Sequence, residues 1–205
     1  GLAGDAVVDG TNNVGIGFEA LSADHGSGET AVGTRALKVS TADNNTAVGL
    51  NALTANTTGT NNVAVGKDAG ASVTTGINNT LIGAESGDAI TDADHNTAVG
   101  FRSLSTNVLG SRSIAIGAGA LFAQNPASAA DMYNVGIGYE AGVAVTTATR
   151  DTLIGGLAGD AITTGSYNVA VGYTSLGATT TGASNVAVGD AALSSNTTAS
   201  NNTAV

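Results

Sequence analysis

The sequence predicts an all-β chain, a parallel β-solenoid of about twelve coils of 16–17 residues. Three observations lead there: a repeat that runs the whole length, the residues that build it, and its period. The tetrapeptide class (Thr/Val/Ile)-(Ala/Gly/Leu)-(Val/Ile)-Gly closes at Gly17, Gly33, Gly49, Gly66, Gly83, Gly100, Gly117, Gly138, Gly155, Gly172 and Gly189. The steps are 16 or 17 residues, except for one of 21 between Gly117 and Gly138. Short β-branched runs alternating on a two-residue period and bounded by Gly and Asn read as strands. Helical repeats of this length are disfavoured by a Gly or Asn-Thr-Thr-Gly break in nearly every unit. A unit of about 17 residues cannot bury its own apolar face, so each must stack on the next.

Column by column, each element has a reason. The residue before the glycine is always Val or Ile, as in Ile16, Val48, Val65, Val99 and Val188, and three before it stands a β-branched residue such as Val14, Thr46, Ile114 or Val186. The two share one side of the strand, so stacked coils build two continuous aliphatic ladders. The residue between them, usually Ala, faces the other way, where its smallness suits a second sheet or neighbouring chains around an axis. Four before the glycine the column is mostly Asn (Asn13, Asn45, Asn62, Asn79, Asn96, Asn134, Asn168, Asn185, Asn202), with Glu29, Ser113 and Asp151 as departures. It is expected to form an amide ladder at the turn, each amide bonding to the next coil. Three after the glycine comes Ala or Ser and four after it only Leu or Gly, from Leu21 to Leu193. The remainder is Thr/Asn/Ser/Gly turn material. At a strand spacing of about 4.8 Å, twelve coils extend about 58 Å. The long step holds four extra residues and the only proline, and Phe122-Ala123-Gln124-Asn125-Pro126 is read as an outward loop.

Residues 1–205 form one repeat segment. The chain ends Asn202-Thr203-Ala204-Val205, a motif short of its glycine, and begins Gly1-Leu2-Ala3-Gly4-Asp5-Ala6. Joining Val205 to a following Gly1 regenerates the motif, so the segment behaves as one period of a longer tandem array or of a head-to-tail polymer. A stretch cut arbitrarily from within an array is the alternative. The opening Gly, in place of Met, marks a processed product or a piece of something longer.

Composition narrows the function. Only 11% of residues are charged, the net charge is -10, there is no Cys or Trp, and Gly numbers 30. Absent Cys excludes disulfides and Cys-ligated metals. The acidic balance argues against nucleic acid, and no apolar run is long enough for a membrane helix. No cofactor is expected. Catalytic signals are absent: His25 and His95 lie in turns, no His-Glu-x-x-His or phosphate loop occurs, and Gly26-Ser27-Gly28 lacks a third glycine and a following helix. Asp92-Ala93-Asp94-His95-Asn96 copies the first oxygen ligands of a calcium loop, but Thr97 replaces the turn glycine and no Glu closes it. With Asp5, Asp9 and Asp24 it reads as acidic turns that keep a fibre soluble. Sequons at Asn44, Asn56, Asn78, Asn196 and Asn201 follow from an Asn-Thr-rich repeat. Phe18, Phe101, Tyr139 and Tyr173 each follow a motif glycine and suit either a chain–chain interface or contact with sugars.

Asn-Thr-Ala-Val-Gly (Asn45 to Gly49, Asn96 to Gly100) and Asn-Val-Ala-Val-Gly (Asn62 to Gly66, Asn168 to Gly172, Asn185 to Gly189) resemble the repeat of trimeric autotransporter adhesin heads, also found in phage tail-fibre-like proteins. The resemblance implies a left-handed parallel β-roll, three chains about one axis and an extracellular or cell-surface setting. The expectation is a non-enzymatic structural segment of an extracellular filament that self-associates. The alternative is an adhesin head or virion tail-fibre shaft that binds a surface glycan.

Overall fold

The computed structural model describes residues 2–4, 9–23 and 26–205. Gly1, Asp5, Asp24 and His25 lie outside the described residues. The strands are β1 (Val14–Ile16), β2 (Thr30–Val32), β3 (Thr46–Val48), β4 (Val63–Val65), β5 (Thr80–Ile82), β6 (Thr97–Val99), β7 (Gly110–Ser111), β8 (Ile114–Ile116), β9 (Ala130–Asp131), β10 (Val135–Ile137), β11 (Thr152–Ile154), β12 (Val169–Val171), β13 (Val186–Val188) and β14 (Thr203–Ala204). All but β7 and β9, which pair with each other, form a single twelve-stranded parallel sheet in chain order. Each motif sits on its successor without slippage: Thr46 opposes Val63, Ala47 opposes Ala64 and Val48 opposes Val65. The return legs are bonded between coils as well, as in Leu53 N–H to Ala69 O at 3.1 Å and Thr57 N–H to Thr74 O at 2.9 Å. The described residues contain no helix, and the fold is the all-β parallel solenoid that the period predicts.

The in-register ladders exist, but they do not line the core. Ala31, Ala47, Ala64, Ala98, Ala115, Ala170 and Ala187, at the centre of each strand, are wholly buried, while the flanking Val, Ile and Thr are half-buried or exposed. The small residue therefore faces its own coil's return leg; among the described residues no second sheet packs on it. Opposite stand Ala20, Ala36, Ala52 and Ala69, then Leu21, Leu37, Leu53, Leu104, Leu121 and Leu176. These leucines hold φ near +50°. Such a backbone costs a β-carbon-bearing residue about 1–2 kcal/mol, and full burial of the side chain offsets it with about 2–3 kcal/mol. Only Leu or Gly meets both demands, which explains the column's restriction.

Gly replaces Leu in two pairs of successive coils for a reason of volume. Where the strand centre is Leu81, its own return leg carries Gly87 and that of the preceding coil Gly70; a β-carbon on either would lie 2.7 Å from a Leu81 methyl. Leu153 stands in the same way between Gly142 and Gly159. Coils with Gly there bury Val73, Ile90, Val145 or Ile162 three residues on, whereas coils with Leu bury Ser40, Asn56, Asn107, Gln124 or Thr179 instead. Two coil types thus fill one narrow interior to constant volume.

The outward loop of the long step begins later than the sequence suggested. Gln124 is fully buried and Pro126 is buried; the exposed bulge is Ala127–Ala129, ending in β9. Gln124 points inward because Ser113 is too short for its place in the Asn column: Gln124 Oε1 accepts from Ser113 Oγ at 3.2 Å and from Asn134 Nδ2 at 3.0 Å.

The motif glycine is set by close approach. Its φ runs from +128° to +140°, and a β-carbon on Gly17 would lie 2.6 Å from the carbonyl of Gly33. The same collision recurs along the stack until Gly189, where a β-carbon meets nothing within 4 Å. Gly66→Ala is therefore expected to lower stability by about 3 kcal/mol or more, with Gly189→Ala clearly milder because only backbone strain remains. Thermal unfolding followed by circular dichroism checks this; equal losses at the two sites would refute stacking as the cause.

Candidate functional site

The feature that departs furthest from an ordinary soluble surface is the outer side of the large sheet. Its two columns hold only Val, Ile and Thr, without a charge, from Val14 and Ile16 to Thr203 and Val205. In mid-stack Ile82, Ile114, Ile116 and Ile154 remain 37–40% exposed. Eleven strand intervals at about 4.8 Å make a strip about 53 Å long and two side chains wide, roughly 600 Å², at the upper limit of what a monomer leaves exposed. The strip ends at β1 and β14, the sheet's two edges. β-branched side chains are restricted at χ1, so the strip loses little side-chain freedom when covered.

A second feature lies beyond the motif glycine. Phe18, Phe101, Tyr139 and Tyr173 share one column, and all are at least half exposed. Small residues separate the rings in Phe101, Ala118, Tyr139, Gly156 and Tyr173. Between Phe101 and Tyr139 an open cleft of about 350 Å³ is bounded by Phe122 and Val143, with Arg102 and Glu140 at its rim. Arg102 lies 5.5 Å over the Phe101 ring and 6.0 Å over the Phe122 ring, and its Nε donates to Glu85 Oε2 at 2.7 Å. Apolar walls with few polar groups suit a ring-bearing ligand.

The Asn column is interior rather than at a surface turn. Each side-chain oxygen accepts the backbone N–H of the next column residue, as in Asn62 N–H to Asn45 Oδ1 at 2.8 Å and Asn79 N–H to Asn62 Oδ1 at 3.0 Å. Each Nδ2 donates to a turn carbonyl of the next coil, as in Asn45 to Gly59 O at 2.8 Å and Asn134 to Ala148 O at 2.7 Å. Glu29 and Asp151 take this place as acids. Asp151 Oδ1 accepts the Asn168 N–H at 2.7 Å and Glu29 Oε1 accepts Asn45 Nδ2 at 2.9 Å, but Asp151 Oδ2 and Glu29 Oε2 are buried without a partner. Burial pushes both carboxyls up to about 7, against the lowering effect of those hydrogen bonds. A protonated Asp151 restores the missing donor; an ionised one leaves a buried charge beside turn carbonyls.

The remaining candidates are dispersed. Asp92 Oδ1 accepts from Thr74 Oγ1 and Thr75 Oγ1, Asp94 Oδ1 accepts from the Ile77 N–H, and Asn96 belongs to the interior column. These oxygens serve the neighbouring coils and do not converge; among the described residues no cluster of three His, Asp or Glu side chains could hold a metal. His95 is exposed, with Nε2 3.3 Å from Asn78 Nδ2, and Asp9 is exposed. Of the sequons, Asn44, Asn78 and Asn201 are exposed, whereas Asn56 is buried with Nδ2 donating to Gly59 O at 3.0 Å. No helix among the described residues is long and apolar enough to cross a membrane. Set against models of protein families, curated proteins and solved structures, the chain matches none of them.

The two acids give the fold a pH dependence of definite sign. Their folded values are raised, so their contribution is complete below the unfolded values near 4 and is lost as pH rises through about 7. Asp151→Asn should stabilise by about 2 kcal/mol at pH 8 and by much less at pH 5. Denaturation at the two pH values measures it, and an equal gain at both would show that Asp151 does not ionise in this window.

Proposed function

We propose that the chain is a non-enzymatic structural segment of an extracellular filament, in which copies associate through the outer side of the sheet as a homotrimer and continue end to end, Val205 meeting the next Gly1. One observation carries this reading: the strip from Val14 to Val205 is uncharged and β-branched over the whole stack, with an unbroken column of Val and Ile beside one of Val, Ile and Thr. Twelve coils that left such a face in water would forfeit about 25 cal/mol for every Å² that a partner could cover. Three copies turning their strips to one axis would cover it and leave the acidic return legs outside. The likeness of the Asn-x-Ala-Val-Gly motifs to trimeric adhesin heads agrees with that arrangement. The mechanism is mechanical, since stacked coils convert chain length into stiff physical length. An extracellular or cell-surface location follows from this role.

A second reading, an adhesin head or virion tail-fibre shaft that binds a surface glycan, is favoured by the exposed rings around the Phe101–Tyr139 cleft. Under either reading the partners are copies of the chain or sugars, not nucleic acid.

Sedimentation tests the association directly. The wild-type chain should run at the mass of three 19.6 kDa chains, and Val65→Lys with Val99→Lys should run as one, with an unchanged circular dichroism spectrum because both side chains point out of the core. A monomeric wild type would overturn the trimer. Electron micrographs showing long uniform fibres would support the filament, and short heads or virion appendages would favour the second reading.

A further inference from the structure

Five residues before each motif glycine the backbone enters the left-handed region in every described coil, with φ from +55° to +75°. Asn or Gly, which tolerate that conformation best, hold the place in Asn12, Gly28, Asn44, Asn61, Asn78 and Asn201. Six consecutive coils abandon them, the last for the small Ser184 and the first five for His95, Arg112, Tyr133, Arg150 and Tyr167. Each bulky side chain there costs of order 1 kcal/mol in backbone strain relative to Gly or Asn. The five replacements are adjacent in the stack, so their side chains form one exposed file.

Within the file the side chains are ordered. The Arg150 guanidinium carbon lies 5.6 Å from the centre of the Tyr133 ring and 5.4 Å from that of Tyr167. Arg150 Nη1 donates to Tyr167 Oη at 3.0 Å. Tyr133 is 46% and Tyr167 55% exposed. Asp131 is the nearby acid, and it is engaged twice, by Arg112 Nε at 2.8 Å and by Tyr133 Oη at 3.1 Å. Arg35, Lys38, Lys67, Arg102 and Arg112 each have a carboxylate within 4 Å; among the described residues Arg150 alone has none. In a chain of net charge -10, a guanidinium held between two rings with most of its N–H donors facing solvent is an anomaly that a ligand would resolve.

We infer that Tyr133, Arg150 and Tyr167 bind a pyranose bearing an oxyanion, a carboxylate or a sulfate, in an acidic polysaccharide. The guanidinium fork offers two parallel N–H donors to such a group, and the flanking rings offer faces for the sugar's C–H edges. A single-stranded nucleic acid would also stack on the rings and offer phosphates to the fork, and the oligonucleotide arm of the test separates the two. The inference rests on the glycan-binding reading, to which it adds the charge of the ligand and a place distinct from the Phe101 cleft. One unpaired guanidinium among the described residues makes single contacts weak, and association of copies multiplies them.

The test is binding of the whole chain to immobilised polygalacturonate, dextran sulfate, neutral dextran and a single-stranded oligonucleotide, at fixed salt. Binding to polygalacturonate, to dextran sulfate or to both, but not to neutral dextran, is expected, and preference between the two identifies the oxyanion. Arg150→Gln should weaken it by about tenfold or more, Arg150→Lys should recover only part because the fork is lost, and Arg112→Gln should leave it within about twofold. Unchanged unfolding midpoints confirm that each variant is folded. Acidic-glycan binding that survives Arg150→Gln but is lost in Phe101→Ala would overturn this site while sparing the glycan reading. Absence of binding to every polysaccharide would overturn both, and tighter binding to the oligonucleotide would overturn the ligand class.

Discussion

A coil of seventeen residues encloses an interior only about one leucine across, so the carbonyls of its own turns point into the space where a core must form. Buried carbonyls need donors. The Asn column provides them, with Nδ2 reaching a turn carbonyl of the next coil and Oδ1 receiving the next coil's N–H. One side chain per coil thereby joins strand to turn and coil to coil. The rest follows from that position. Once the amide is inside, the strand's alternation sends the small residue inward and both β-branched neighbours outward.

The same geometry explains why the molecule carries so much apolar surface. In a conventional domain the larger aliphatics fill the core; here the interior admits Ala with one or two Leu, Val or Ile per coil, and the Val and Ile columns of the strands are displaced to the outside. On the return legs, pairs such as Arg35 with Glu19 and Arg102 with Glu85 cross between adjacent coils. Such exposed pairs add little stability. Where the column brings like charges together, as Asp68 and Glu85 in adjacent coils, Lys67 lies within 4 Å of both.

Much of this was legible in the sequence, because a solenoid repeats each physical demand at a fixed interval. The invariant glycines, the Asn column and the register of every strand in the large sheet follow from periodicity alone. What escaped was direction. Alternation shows that Val48 and Ala47 face opposite ways but not which way is in, and the usual equation of large aliphatics with the core fails for an interior this thin. Gln124 escaped because it lies in the irregular coil, where the column it repairs has lost its Asn to Ser113. The file from His95 to Tyr167 was hidden for a related reason. Its signal is a backbone conformation shared by unlike residues, and the sequence displays only the unlikeness. The pairing of Leu81 with Gly70 and Gly87 was written in the sequence, but it is recognisable only once those positions are known to meet.

That pairing bears on how such a chain can change length. Because the interior is filled jointly by successive coils, the units are not interchangeable beads: a unit centred on Leu81 or Leu153 is compatible only with neighbours that leave it room. Duplicating or excising a single unit at these points would set two large side chains against each other or open a void. Growth and loss by recombination are thus steered toward blocks that carry their matched borders with them.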